Sequence, residues 1–327
     1  MMLKKLAAYA GALMLMLPGA AHGQDIELTL GHAHTEQGSY HMIALKFQEE
    51  LANSGIKVTI FPNATLGGEI RMLQGVMTGA VDAIMVSHPA LENQIPQFSV
   101  FSLPYLFEDI KHLHAVLHGE PGRKFLDILK DYGMTAFDWG SVYERSVAGR
   151  KAIRNVEDMA GLKVRVVQAP GFVKSYEALG AQPTAMAYGE LFLALQNGVV
   201  DAAELTTGQV VSDGFAEAIT HYSFTRTNYI PSLLVMSSDR FNSLPADAQE
   251  KIRAAAQKAM AYGFEYVLKE DQVGKAKLEE RGVEFTSPEI APFMEKARKA
   301  WPDILGAEAE QPAVKAFLAA AEEMRGQ

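Results

Sequence analysis

The chain has 327 residues, with 30 basic and 39 acidic side chains, 48% hydrophobic residues and no cysteine. That length suffices for two modest domains and a sizeable core. The missing thiols exclude disulfides and thiolate-ligated metals or clusters, and the acidic balance excludes a surface built for nucleic acid phosphates or anionic lipid.

Residues 1–23 hold the three parts of a secretory signal: Lys4 and Lys5, an apolar stretch from Leu6 to Leu17, and Ala21-His22-Gly23 with small residues at the −3 and −1 positions. The apolar stretch covers about 12 residues before Pro18 and Gly19, short of the roughly 20 a membrane-spanning helix needs. Cleavage is therefore expected, with the mature chain starting at or near Gln24. Every later hydrophobic run is interrupted by charge, so the expected product is a soluble protein of the periplasm. Without the two leader lysines its net charge is 28 − 39 = −11.

Short β-rich runs follow at Glu27–Leu30, Lys57–Phe61, Ala83–Val86 and Lys163–Val167. They alternate with helical runs whose apolar positions lie three and four apart, such as Met42–Leu51 and Leu191–Leu195, and this alternation predicts an α/β fold. Gly55-Ile56-Lys57-Val58 before Gly79-Ala80-Val81-Asp82 is echoed by Gly161-Leu162-Lys163-Val164 before Gly198-Val199-Val200-Asp201, which suggests two lobes of related design. From Ser243 to about Arg281 the sequence reads as one long helix, with Ser243 as N-cap and Pro245 in the first turn. Two helices broken at Gly263 or Gly274 are the alternative. No linker-like tract separates the lobes, so the chain crosses between them inside structured segments, as a hinged cleft requires.

None of the G-x-S-x-G, H-E-x-x-H, P-loop or G-x-G-x-x-G patterns occurs, which argues against an enzyme. His32 and His34 on a strand would share a face, compatible with metal but without further ligands nearby; contact with a solute is the other reading. His112, His114 and His118 lie around a helix beginning near Asp109 and read as a solvated face. Asp201 and Glu204 sit on a strand that puts them on opposite faces, which disfavours a carboxylate pair. Two arginines stand in apolar company. Alternation sets Lys163, Arg165 and Val167 on one face, where a guanidinium held on a strand offers a rigid fork for a carboxylate. Arg145, after Trp139 and Tyr143, carries the same choice between surface residue and anion clamp.

Six segments in order carry a family resemblance: Phe61–Gly67 (FPNATLG), Gly79–Asp82, Phe101–Phe107 (FSLPYLF), Gly161–Arg165, Ala178–Thr184 and Glu190–Glu204 (ELFLALQNGVVDAAE). Over about Ile26 to Phe285 the chain resembles the substrate-binding proteins of tripartite ATP-independent periplasmic (TRAP) transporters, typified by dicarboxylate and sialic acid binders. The resemblance implies a two-lobed periplasmic-binding-protein fold with a ligand cleft and a long helix, about 246–281, under both lobes. The first lobe is taken as 24–142 plus about 231–270, the second as 143–230 plus about 271–327. It further implies Arg165 as the main clamp on the ligand's carboxylate and Arg145 as a second arginine. Tyr188, Glu69, Ser87, His32 and His34 fall at cleft-lining positions.

One departure stands at Leu205, where the family usually places an asparagine that helps orient the carboxylate. Leucine donates no hydrogen bond, so either Thr206 supplies the hydroxyl or the anion is held differently, as a smaller or less polar acid or a sulfonate; a long polyhydroxy acid such as sialic acid fits less well. The reading is thus a solute-binding protein for a small organic anion, delivering it to integral membrane TRAP subunits, monomeric, with no cofactor or metal and no bond broken. A ligand-presenting component of a sensory system is the rival, and a periplasmic enzyme a distant third.

Overall fold

A computed structural model of the protein describes residues 26–326; the expected leader and its cleavage site lie outside them. Strand β1 (Ile26–Gly31), helix α1 (Ser39–Glu50), β2 (Ile56–Phe61), α2 (Glu69–Met77) and β3 (Ala83–Ser87) open the first lobe. Helices α3 (His88–Glu92), α4 (Ile110–His118) and α5 (Glu120–Ile128) lead to the long strand β4 (Met134–Gly149). The second lobe comprises β5 (Lys163–Val166), α6 (Pro170–Ala178), β6 (Gln182–Ala185), α7 (Leu191–Gln196), β7 (Ala202–Leu205) and α8 (Thr207–Ser212), and the long strand β8 (His221–Ser237) returns from it. Short α9 (Ser238–Asn242) precedes α10 (Ala246–Glu280), and β9 (Glu284–Thr286), α11 (Ile290–Ala297), α12 (Trp301–Leu305) and α13 (Pro312–Glu323) follow.

Among the described residues the strands form one sheet in the order β2-β1-β3-β8-β4-β7-β5-β6, with β9 beside β8. Parallel pairing of β1 with β2 and β3 is mirrored by β5 with β6 and β7. The repeat suggested by the sequence is therefore real in topology but shifted: β5 corresponds to β1, the central strand of its lobe, and not to β2. One device recurs in both lobes. Gly79 and Gly198 take positive φ (75° and 69°), and the aspartate three residues on caps the central strand. Asp82 accepts the Thr29 N–H at 2.8 Å, and Asp201 accepts that of Lys163 at 3.2 Å.

Both long strands change lobes. Val142 pairs with Pro231 and Tyr143 with Ile230, so the expected lobe boundaries fall opposite each other. Just beyond, Arg145 pairs with Asn228 but Val147 with Ser223, which loops residues 224–227 out of the ladder. Arg226 there has φ 47°, a left-handed conformation uncommon outside glycine. Tyr105 braces the loop: its N–H donates to Thr227 O and its hydroxyl to Thr225 O, both at 3.0 Å.

Helix α10 is a single helix of 35 residues, about 50 Å long at 1.5 Å per residue. It packs on α1 of the first lobe and on α8 of the second. The two glycines mark those contacts rather than breaks. A Cβ at Gly263 would lie 2.7 Å from Ile43 Cδ1, and one at Gly274 would lie 2.5 Å from the Thr207 carbonyl oxygen. Ser243 does not cap this helix; it ends α9, and Pro245 occupies the N-cap position.

Two further expectations change. His112 is buried, not solvated: it accepts the Glu108 N–H at 3.1 Å and donates Nε2–H to Ala321 O at 2.8 Å, tying α4 to α13. Residues 312–323, grouped from sequence with the second lobe, pack on the first, where Phe317 meets Phe125 at 5.4 Å between ring centroids.

The two glycines of α10 predict different outcomes. Alanine gains about 1 kcal/mol of helix propensity over glycine. At Gly263 the mobile end of Ile43 can yield, so Gly263→Ala should be near neutral. At Gly274 the obstacle is backbone, and Gly274→Ala is expected to destabilise by about 1–3 kcal/mol. Urea unfolding midpoints of the two variants check the contrast.

Candidate functional site

Three neighbouring strands build the centre of the site. In the order β4-β7-β5, Glu204 on β7 lies between Arg145 on β4 and Arg165 on β5. The ladder sets Val147 opposite Glu204 and Arg165 opposite Ala203. The Glu204 carboxylate is fully buried. It accepts from Arg145 Nε, from Arg165 Nη1 at 3.1 Å and from the Val167 N–H at 2.8 Å. Arg165 also donates from Nε and Nη2 to Met186 O at 3.1 and 2.9 Å. Arg145 donates to Gln209 Oε1 and Glu204 O.

Both guanidinia are only 2% exposed, and both line a cavity of about 270 Å³ between the lobes. Each commits three of its five N–H donors to the protein. Two cations share one carboxylate. Burial works against both charges, but Glu204 more than offsets this at Arg145, whose pKa stands above the ordinary value. At Arg165 burial, with Arg145 alongside, outweighs Glu204 and draws the pKa down. Of the pair, Arg165 touches Glu204 through Nη1 alone, its other two bonds going to the neutral carbonyl of Met186.

The first lobe supplies the facing wall. Glu69, at the start of α2, accepts at Oε2 from the Ser87 hydroxyl at 2.6 Å and the Ser87 N–H at 3.4 Å. Burial raises its pKa. His34 stacks between Tyr40 of its own lobe and Tyr188 of the other, with ring centroids 3.9 and 4.8 Å apart. Burial lowers its pKa to about 4, so the ring is neutral near pH 7. Across the mouth, Asp213 accepts from the Thr35 N–H at 3.0 Å, the Thr35 hydroxyl at 2.8 Å and the Tyr188 hydroxyl at 2.9 Å. Its side chain is 1% exposed. These contacts join the lobes and shut the cleft.

Arg165, Arg145, Tyr188, Glu69, Ser87 and His34 therefore converge on one cavity. His32, Leu205 and Thr206 lie elsewhere. His32 and His34 follow β1 outside the strand and diverge; His32 is buried against His41, with ring nitrogens 3.0 Å apart. Leu205 is wholly buried in the core of the second lobe. The Thr206 hydroxyl caps α8, accepting the Gln209 N–H at 3.2 Å. Leu205 thus says nothing about the anion's surroundings. The amide at the site belongs to Gln209, one turn further on. Its Oε1 faces two donors, Arg145 Nη1 and the Thr206 N–H, and this leaves its NH2 for the cavity. Sequence reading missed Gln209, Tyr40, Tyr143 and Asp213, because each reaches the site through tertiary placement alone. Among the described residues no group of histidines and carboxylates could hold a metal.

A cleft between two α/β lobes, floored by buried guanidinia and latched across its mouth, is the apparatus of a protein that closes around an anion. The chain matches the model of bacterial extracellular solute-binding protein family 7 over residues 30–307 and belongs to that family. Members are the substrate-binding components of TRAP transporters, working with membrane subunits outside the cytoplasm, and are not enzymes. A solute-binding protein of Roseobacter denitrificans is 31% identical over 287 residues, covering 86% of this chain and 87% of the relative. The sugar acid binding protein of Advenella mimigardefordensis, solved with galactonate, superposes with a TM-score of 0.86 at 25% identity, over 92% of this chain and 99% of that one. A TRAP periplasmic solute-binding protein of Xanthobacter autotrophicus Py2, with bound β-D-galacturonate, gives 0.85 at 27% identity, over 90% and 99%.

The latch predicts a kinetic signature. Removing charge-assisted hydrogen bonds worth about 1.5–3 kcal/mol makes Asp213→Ala release its solute about 10- to 100-fold faster, with the association rate changed less than about threefold. Stopped-flow fluorescence checks this; an unaltered release rate would remove Asp213 from the closing mechanism.

Proposed function

We propose that this protein captures a small organic acid, of the sugar acid type, in the cavity between its lobes and hands it to TRAP membrane subunits. The observation that carries the reading is the sharing of Glu204 by two buried guanidinia. A buried charge without a partner is strongly unfavourable, and the ligand's carboxylate supplies what Arg165 lacks. Each Nη of Arg165 retains an N–H, as bidentate recognition of a planar carboxylate needs. Gln209 adds a donor beside Arg145. Tyr188, with Arg165 Cζ 5.8 Å from its ring centroid, walls the ligand. The polar groups of the facing wall, Glu69, Ser87 and His34, suit a hydroxylated chain or ring better than an alkyl one, and the galactonate and galacturonate complexes of similar proteins agree with this.

The mature protein starts near Gln24 after export and acts in the periplasm as a monomer. Its mechanism is binding alone: closure desolvates the ion pair and presents a surface formed by both lobes together.

Calorimetric titration of protein freed of ligand by unfolding and refolding tests the reading, with galactonate, galacturonate and glucuronate as probes. Arg165→Ala is expected to weaken the best of these by about 2–5 kcal/mol, the range for truncating one member of a buried charge pair. Affinity unchanged within about twofold would sink the assignment.

A further inference from the structure

We propose that Glu69 makes this site selective for acids with one carboxylate and several hydroxyls, and against dicarboxylates; the proposal rests on the anion-clamp reading above. The cavity is polarised. Deep in the second-lobe wall Arg145 and Arg165 share the single carboxylate of Glu204; the other carboxylate of that wall, Glu190, stands exposed at the rim.

The first-lobe wall has the opposite character. Glu69 lines the same cavity, and none of the ion pairs among the described residues includes it. Its donors are the hydroxyl and backbone N–H of Ser87, with the Tyr40 hydroxyl close by. The other titratable group of this wall, His34, is neutral and adds no cation. Burial raises the Glu69 pKa, and the Ser87 hydrogen bonds and the field of Arg165 work against that rise.

A ligand hydroxyl arriving at Glu69 donates to its carboxylate. A second ligand carboxylate arriving there meets like charge or must take up a proton, because two carboxylates about 3 Å apart do not both ionise. Either course weakens the diacid. The monoacid pays neither penalty, and its far end supplies the donors that Glu69 accepts.

Matched ligand pairs isolate the effect: D-gluconate against D-glucarate, and D-galacturonate against galactarate, where the second carboxylate replaces a hydroxylated or carbonyl carbon at the same chain length. By titration calorimetry the wild-type protein is expected to prefer the monoacid of the better-bound pair by about 100-fold or more, the scale of a like-charge clash in a desolvated site. Glu69→Gln, which keeps the shape and removes the charge, is expected to narrow that ratio by about tenfold or more; Glu69→Ala serves as the second variant should the first fail to fold. A wild-type protein that binds the diacid within about threefold of the monoacid, or a ratio unmoved in the folded variant, would overturn the proposal while leaving the anion clamp standing. No binding by any of the four acids would overturn the clamp, and this proposal with it.

Discussion

The structure turns on one carboxylate held between two guanidinia. Burying ions is costly, and geometry must return that cost through close contacts and satisfied hydrogen bonds. Here the sheet does so. The order β4-β7-β5 brings Arg145, Glu204 and Arg165 onto adjacent strands, and the backbone N–H of Val167 and the carbonyl of Met186 complete the network. Side chains so tethered keep their rotamers without a ligand, which lowers the entropy lost on binding. The site is rigid on this side because it is part of the sheet.

The opposite side is assembled by docking. Tyr40 and His34 come from the first lobe, Tyr188 and Asp213 from the second, and the stack of three rings exists only with the lobes together. A permanent half and a conditional half thus divide the labour. The first selects for charge; the second converts occupancy into a change of shape. Their connection runs through Tyr188, which lies against Arg165 on one side and reaches the latch with its hydroxyl.

How much of this the sequence disclosed follows from the range of each interaction. Local patterns gave β1, β2, β3, β5 and the single long helix, because periodicity acts over a few residues; the long strands β4 and β8 were not read. Arg165 was legible by alternation, although its place on a central strand was not. Glu204 was read as a strand residue, and it lies on β7, although Asp201 falls just before that strand; its partners are 39 and 59 residues distant. Thr35 and Asp213 are 178 residues apart and sit in unremarkable sequence. His32 and His112 were misread for the same reason: what their tertiary neighbours do with them leaves no trace in spacing.

The packing of α13 on the first lobe bears on how the chain comes to be folded. Phe317 closes over Phe125 and Phe101, so the apolar core of that lobe lies open until almost the last residues have been made. The strand β8 imposes the same delay, since it supplies the neighbour of β3 only after the second lobe has been spelled out. Neither lobe is an uninterrupted stretch of sequence, and neither can mature ahead of the other. Contacts of such long sequence separation fold slowly. A nascent chain of this kind cannot complete its first lobe until nearly the whole sequence has been made.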